Sequence, residues 1–261
     1  MLLSRMKSSH RVIALLIVMI TSLFGLLLLP PIPQDQNYHD FADQRTLFGI
    51  SNFWNVVSNF PFIVVGAAGL WSSRRNPAIV ILFLGILLTG FGSAYYHFDP
   101  DDSTLFWDRL PMAVSFMAIL AIAIEERVDA KAGAIMLWPL IAVGVFSLYL
   151  WRWTGDLRLY GWVQFFPCFM VPMLFLLFPP KFTGTYYWFI AAALFALAKL
   201  FEFYDEAIYS IVSILSGHTF KHLAAAGACF ALLRYFQTRR PVRAESQGMK
   251  TRNRKVAKTM R

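Results

Sequence analysis

Residues 77–97 read PAIVILFLGILLTGFGSAYYH, an apolar run with no charged residue before the histidine that ends it. A helix needs about 20 mostly apolar residues to cross the hydrocarbon core of a bilayer. The apolar residues here form one continuous block and do not alternate with polar ones. The run therefore predicts a membrane-spanning helix that carries His97 near one membrane surface.

The rest of the chain has the same character. Of its 261 residues, 57% are hydrophobic and 15% are charged, whereas a soluble domain is about half apolar and about a quarter charged. The hydrophobic residues form eight blocks with short breaks between them, near 12–29, 50–71, 77–96, 109–125, 132–151, 159–178, 185–203 and 216–236. The sequence therefore predicts an all-α, polytopic membrane helix bundle with eight spanning helices.

The first block has two interpretations. Basic residues precede it, which suits a signal peptide with residues 13–29 as its apolar core. That core is long, however, and it ends at Pro30 and Pro31 without a small-x-small cleavage site. We therefore expect an uncleaved anchor helix followed by an outer loop.

Charged residues in the breaks between the blocks predict the orientation of the chain in the membrane. The N-terminus is basic, Arg74 and Arg75 follow the second block, and residues 237–261 carry nine Lys/Arg and one Glu, which is +8 of the net +9. The breaks at 30–49 and 99–102 are acidic. Since cytoplasmic loops are enriched in Lys and Arg, both termini are predicted to be cytoplasmic. The tail suggests a disordered cytoplasmic segment, not a nucleic-acid partner.

Three of the five histidines, His97, His218 and His222, fall at the predicted outer ends of apolar blocks. Ionisable residues at membrane depth are costly and mark candidate functional sites. His218 and His222 are four apart, which puts both imidazoles on one helix face, although two such histidines are as often core residues. With His97 at the same membrane face, the set matches a catalytic zinc site with three protein ligands and one open position.

Two further residues have both a structural and a chemical interpretation. Ser93 lies one helical turn before His97, where its hydroxyl either eases helix packing or donates to an oxyanion. Asp108 opens the fourth block shortly before Pro111, and so suits the N-cap of a helix. The same carboxylate would also suit a general base for an attacking water. The sequence leaves both choices open.

Four residues inside the apolar blocks have a simpler interpretation. Lys199 and Glu202 are three apart on the seventh block, so we expect an intrahelical ion pair. Cys168 and Cys229 are the only cysteines and offer neither a disulfide framework nor a CxxC pair. We expect both to be small core residues.

Taken together, these residues resemble the alkaline ceramidase family, part of a wider group of seven-helix membrane hydrolases that includes the adiponectin-type receptors. The shared pattern is a Ser-x3-His, an Asp eleven residues after that His, and a late His-x3-His. The run FWNVVSN at 53–59 is similar to the start of the first core helix of ceramidases. The resemblance covers about residues 40–236. It implies a seven-helix core behind an N-terminal anchor and loop at 1–39, with a basic tail at 237–261.

The resemblance implies a hydrolase that cleaves the amide bond of ceramide-type membrane lipids into a sphingoid base and a fatty acid. Zinc would be held by His97, His218 and His222. Asp108 would take a proton from the attacking water, and Ser93 would stabilise the oxyanion. The chemistry agrees, because zinc polarises a poorly electrophilic amide carbonyl and activates water near neutral pH. No obligate protein partner is implied.

Eukaryotic ceramidases also carry a calcium site, and here the match is partial. Asp40 and Asp43 would align with its acidic stretch, while Asn52 and Asn55 would supply further oxygen ligands, the type that calcium prefers. However, Asn52 stands where those proteins have a Glu, and Arg45 adds a positive charge. We expect either calcium on these four residues or Arg45 in its place, paired with Asp43.

Two other functions would use the same histidines. An adiponectin-type receptor would retain the zinc site for signalling or structure. A transporter would need ionisable residues spread through the membrane depth, whereas these cluster at one face. The FWN run and the acidic segment before it favour the ceramidase branch. The expected location is a bacterial inner membrane or, in a eukaryote, the endoplasmic reticulum or Golgi.

Overall fold

A computed structural model describes residues 8–73 and 76–242. This part of the chain is mostly helical and contains no β-strand, only two isolated bridges, which confirms the all-α prediction. The helices are α1 Ser8–Leu28, α2 Phe53–Val57, α3 Phe60–Ser72, α4 Pro77–Phe98, α5 Asp102–Arg127, α6 Ala130–Thr154, α7 Arg158–Leu177, α8 Tyr186–Phe203, α9 Asp205–Val212 and α10 Gly217–Thr238. The basic residues at 1–7, Arg74 and Arg75, and most of the predicted tail lie outside the described residues.

Seven stretches of the described chain are long and apolar enough to cross a membrane. They are α1, then α2 and α3 taken together as Phe53–Ser72, and each helix from α4 to α8. α10 is an eighth long helix, with 22 residues that extend over roughly 33 Å. The polar residues near its start, among them His218 and His222, lower its hydropathy, yet it packs in the bundle against α8 and α3. The polytopic bundle is thus confirmed.

The bundle is organised around α4, α5 and α10. α5 packs against α4, α6 and α7, and it is the most buried of the seven candidate spans. Its side chains supply much of the core, including Leu105, Met117 and Ile122. α1 packs mainly against α7, where Trp162 donates a hydrogen bond to the Ser22 hydroxyl at 3.1 Å. The extra N-terminal helix therefore lies at the periphery of the core.

Helix α5 begins earlier than the sequence predicts. Its N-cap is Asp101, whose carboxylate accepts from the backbone N–H of Thr104, while the Thr104 hydroxyl accepts from the backbone N–H of Asp101. The Thr104 N–H also holds the pKa of Asp101 below its ordinary value. The N-cap interpretation of Asp108 is therefore wrong: Asp108 lies in the second turn of α5, and Pro111 lies inside the helix. Hydropathy does not detect such a capping box, because its residues are polar.

Helices α4 and α5 approach closely at one point. A Cβ atom at Gly92 would lie 2.2 Å from the carbonyl oxygen of Trp107, so no larger residue fits without movement of the backbone. Ser93 follows Gly92 on α4, and Asp108 follows Trp107 on α5. The close approach therefore brings these two predicted site residues next to each other.

We expect Gly92→Ala to destabilise the fold. The added methyl group has to push α4 and α5 apart, at a cost of about 1–3 kcal/mol, as is typical of overpacking. Thermal unfolding of the purified protein measures the effect. Gly161→Ala is the matched control, because a Cβ at Gly161 meets no atom within 4 Å. An unchanged melting temperature for Gly92→Ala would contradict this account of the helix contact.

Candidate metal centre

The side chains of His97, His218 and His222 meet at one end of the bundle. His97 lies in the last turn of α4, and the other two lie in the first two turns of α10. The three residues are buried, with exposures of 1%, 4% and 3%. One ligand nitrogen from each lies within 4.8 Å of the others. The structure thus brings together the three predicted ligands from helices far apart in the sequence.

The positions of these nitrogens fit a metal ion. Nε2 of His97 lies 3.1 Å from Nε2 of His222. Two ligands of a tetrahedral zinc with bonds of about 2.05 Å would be roughly 3.3 Å apart. Nε2 of His218 is buried without a hydrogen-bond partner. Such a nitrogen costs about 1–3 kcal/mol, and a cation held by its lone pair would remove that cost.

Ser58 fixes the orientation of one histidine. Its Oγ lies 2.7 Å from Nδ1 of His222 and 3.2 Å from the backbone carbonyl oxygen of Asn55. The hydroxyl can donate to only one of them, and the carbonyl can only accept. Both contacts are satisfied together when Ser58 donates to Asn55 and accepts from a protonated Nδ1 of His222. This leaves Nε2 of His222 unprotonated and available to a metal, the usual role of an outer-shell partner.

Two asparagines support the backbone around the centre. Asn52 Nδ2 donates to the backbone carbonyl of His97 at 2.9 Å. Asn55 Oδ1 accepts from the Thr219 hydroxyl of α10 at 2.9 Å. Asn52 and the FWN run that follows it therefore join α2 to both helices that carry the histidines. Sequence reasoning missed this supporting role, and the resemblance of the run to ceramidases was the one signal that pointed to it.

The segment before α2 covers the histidines. The Phe41 ring lies 4.7 Å from the rings of both His97 and His218, measured between centroids. Asp205 ties this segment to α10: its carboxylate accepts from the backbone N–H of Ala42 at 3.0 Å and from that of His218 at 2.6 Å. These contacts pack the segment over the centre. The sequence gave no signal for the role of Asp205.

Ser93 and Asp108 lie beside the histidines. Both are buried, at 4% and 8% exposure, and the Ser93 hydroxyl lies close to the Asp108 carboxylate. Oδ1 of Asp108 is buried without a hydrogen-bond partner. Together with His222, the two residues line one internal cavity. Three of the five predicted functional residues thus line one cavity. The other two, His97 and His218, lie against His222, with ring centroids 4.7 and 4.9 Å from its ring.

The cavity has a volume of about 400 Å³ and is mostly apolar. It extends from the histidines between α5, α7, α8 and α10 toward Phe175, Trp188 and Leu232. Along α8 it is lined from Glu202 back to Trp188, a distance of roughly 21 Å at 1.5 Å per residue. The space is therefore long, polar at the histidine end and hydrophobic at the other.

Three of the four predicted calcium ligands have other partners. Nε and Nη2 of Arg45 donate to the two oxygens of the Asp43 carboxylate, at 2.8 and 2.7 Å. This ion pair is the predicted alternative to a bound calcium ion. Asp40 is exposed, and the amides of Asn52 and Asn55 bond to other groups. Within the described part of the chain, the three histidines are the one group found that could hold a metal. Calcium stays a prediction that this arrangement does not favour.

The fold and the site together define a class of protein: a polytopic helical membrane protein with a buried three-histidine centre at the end of an apolar cavity. The model of the Ceramidase family matches residues 45–257, most of the chain. The chain therefore belongs to the Ceramidase family, which confirms the resemblance and supports a ceramidase-type hydrolase. A comparison with curated proteins gives no match.

We expect the unsubstituted protein to bind about one metal ion per chain, since three histidine ligands suit a single ion. The double substitution His218→Ala/His222→Ala removes two ligands and should abolish binding. Elemental analysis of the purified proteins measures the metal content. His10→Ala serves as the control, because His10 is exposed on the peripheral helix α1. Undiminished metal in the double variant would place the ion elsewhere.

We also expect Ser58→Ala to weaken metal binding by about 10–100-fold, the usual effect of removing an outer-shell partner. Without the hydroxyl, Nδ1 of His222 loses its acceptor, and the tautomer that exposes Nε2 is no longer favoured. Competition with a chelator measures the affinity. Ser72→Ala, an exposed serine later in the same span, should leave it unchanged. Equal affinities for the two variants would exclude this role of Ser58.

Proposed function

We propose that the protein is a zinc-dependent ceramidase, which cleaves the amide bond of ceramide-type lipids into a sphingoid base and a fatty acid. The observation that carries the proposal is the common position of Ser93, Asp108 and His222 around one apolar cavity. Zinc is the metal proposed, because three histidines with an open fourth position are a typical catalytic zinc site. Membership of the Ceramidase family supports the reaction class.

Asp108 is the proposed general base. Its free, buried Oδ1 can accept a proton from the water that attacks the amide carbonyl and pass it to the leaving nitrogen. The Ser93 hydroxyl, next to the same carboxylate, would donate a hydrogen bond to the developing oxyanion. A zinc ion on the three histidines would polarise the amide carbonyl and promote deprotonation of water.

The cavity supports a lipid substrate. The cavity is roughly 21 Å long by helix rise along α8. Its apolar part suits an alkyl chain, and its polar end holds the residues that would act on an amide. A substrate of this kind stays in the bilayer, and the spanning helices put the cavity at the same depth. We infer that one hydrocarbon chain of the lipid lies along α8 and α10 with the amide near His222.

The orientation follows from the charges of the loops. We propose that both termini face the cytoplasm and that the histidine end of the bundle faces the opposite side. The loop at that end, residues 99–102, contains no Lys or Arg, in agreement with the enrichment of these residues in cytoplasmic loops. The membrane would be the inner membrane of a bacterium, or the endoplasmic reticulum or Golgi of a eukaryote.

A panel of N-acyl lipids tests the reaction directly. Purified protein is incubated with ceramides of several chain lengths, with and without a chelator. We expect release of fatty acid that the chelator stops and that added zinc restores. A protein that retains zinc but hydrolyses none of the lipids would favour the alternative of an adiponectin-type receptor with a retained metal site.

The test of Asp108 separates catalysis from structure. Asp108→Asn keeps the size of the side chain, so zinc content and melting temperature should stay unchanged. Hydrolysis should fall by about 10²–10⁴-fold, the usual contribution of a positioned acid–base group. The control is Asp129→Asn at the N-cap of α6, because Asn caps a helix about as well as Asp. A zinc-loaded, fully active Asp108→Asn variant would remove Asp108 from the mechanism.

A further inference from the structure

Two lysines and a glutamate form a charged cluster at the polar end of the cavity. Nζ of Lys199 lies 2.6 Å from Oε2 of Glu202, which confirms the predicted pair, and Nζ of Lys221 lies 3.0 Å from Oε1. The Tyr38 hydroxyl adds a hydrogen bond to Oε1 at 3.2 Å. The charged side chains are between 16% and 33% exposed. All four residues line the cavity.

The cluster has one excess positive charge. The two oxygens of Glu202 accept bonds from Lys199, Lys221 and Tyr38. Each lysine has three N–H donors and gives one to Glu202. Over residues 8–73 and 76–242, no second hydrogen-bond acceptor is found for either ammonium group. Donors and positive charge are therefore available to a ligand in the cavity.

The charged cluster lies close to the histidines, because Lys221 and two of the histidines share the first turns of α10. Lys221 directly precedes His222 and follows His218 by three residues on α10, so its side chain is within one helical turn of both. Lys199 faces the same cavity from α8. A charge beside an apolar cavity is costly unless an opposite charge pairs with it. An anionic group in this part of the cavity would supply that pairing.

We propose that Lys199 and Lys221, held in place by Glu202, form a carboxylate-binding subsite beside the metal centre. The proposal rests on the proposed function, because hydrolysis of an amide at the neighbouring histidines turns a neutral group into a carboxylate. The ligand is a carboxylate carried by an alkyl chain. It comes either from the fatty acid released by the reaction or from an acidic head group on the N-acyl lipid.

The cysteines provide a measurement that does not depend on turnover. Cys168 and Cys229 are the only two in the chain, and both are free and line the cavity. Labelling of the zinc-loaded protein with N-ethylmaleimide is followed while palmitic acid or hexadecanol is added. We expect palmitic acid to give half-protection at a concentration about tenfold lower or more, because hydrogen bonds to charged groups are stronger than neutral ones.

Substitutions identify the lysines as the cause. Lys199→Met/Lys221→Met should make palmitic acid and hexadecanol equally protective. Lys221→Arg should keep the preference because it keeps the charge, and so should Lys131→Met, a change at an exposed lysine at the start of α6. A preference that survives in the double variant would assign the carboxylate to the metal centre alone and overturn the proposal. Should the double variant fail to fold, each single variant with matched zinc content must reduce the preference.

Hydrolysis assays then distinguish the two sources of the carboxylate. A head-group source predicts a lower KM for N-palmitoylglycine than for the ceramide N-palmitoylsphingosine, with the difference lost in the double variant. A product source predicts that palmitic acid inhibits ceramide hydrolysis and that the double variant resists this inhibition. Lysine-dependent protection without hydrolysis of any lipid would defeat the proposed function alone. Hydrolysis without lysine-dependent protection would defeat the subsite alone.

Discussion

The structure depends on holding imidazole nitrogens from α4 and α10 within 4.8 Å of one another, close enough to hold one metal ion. Helices in a bilayer gain little from the hydrophobic effect when they associate, so close packing and polar contacts determine where they lie. Here the missing side chain at Gly92 lets α4 approach α5. Asn52 binds the backbone of His97, and Asp205 binds that of His218. The geometry of the centre is thus fixed largely through main-chain groups, away from the ligand nitrogens.

The cavity joins two polar sets with different electrostatic character. The histidines must be neutral to act as metal ligands, and the base proposed beside them is a single carboxylate, Asp108. The lysine pair is instead charged and is held by Glu202. Both sets lie at the same end of an otherwise apolar space. The cavity therefore offers a polar lipid group two distinct environments within about one helical turn of each other.

The sequence predicted what depends on local pattern. Continuous apolar blocks identified the helices, and the Ser-x3-His and His-x3-His spacings identified side chains that share a face. It failed at Asp108 as a helix cap, because the polar capping box begins at Asp101. It also did not predict that Lys221 joins Glu202, or that Asn52 supports the centre. These contacts join residues on different elements, so they arise only from tertiary packing.

The position of α10 has a consequence for biogenesis. This last long helix of the described chain carries two of the three predicted metal ligands, and the third, His97, lies on α4. Chains are synthesised and fold from the N-terminus, so the earlier helices can enter the membrane before a metal can be held by all three ligands. A partly inserted chain has no complete centre. The proposed hydrolytic activity would therefore require that α10 has joined the bundle.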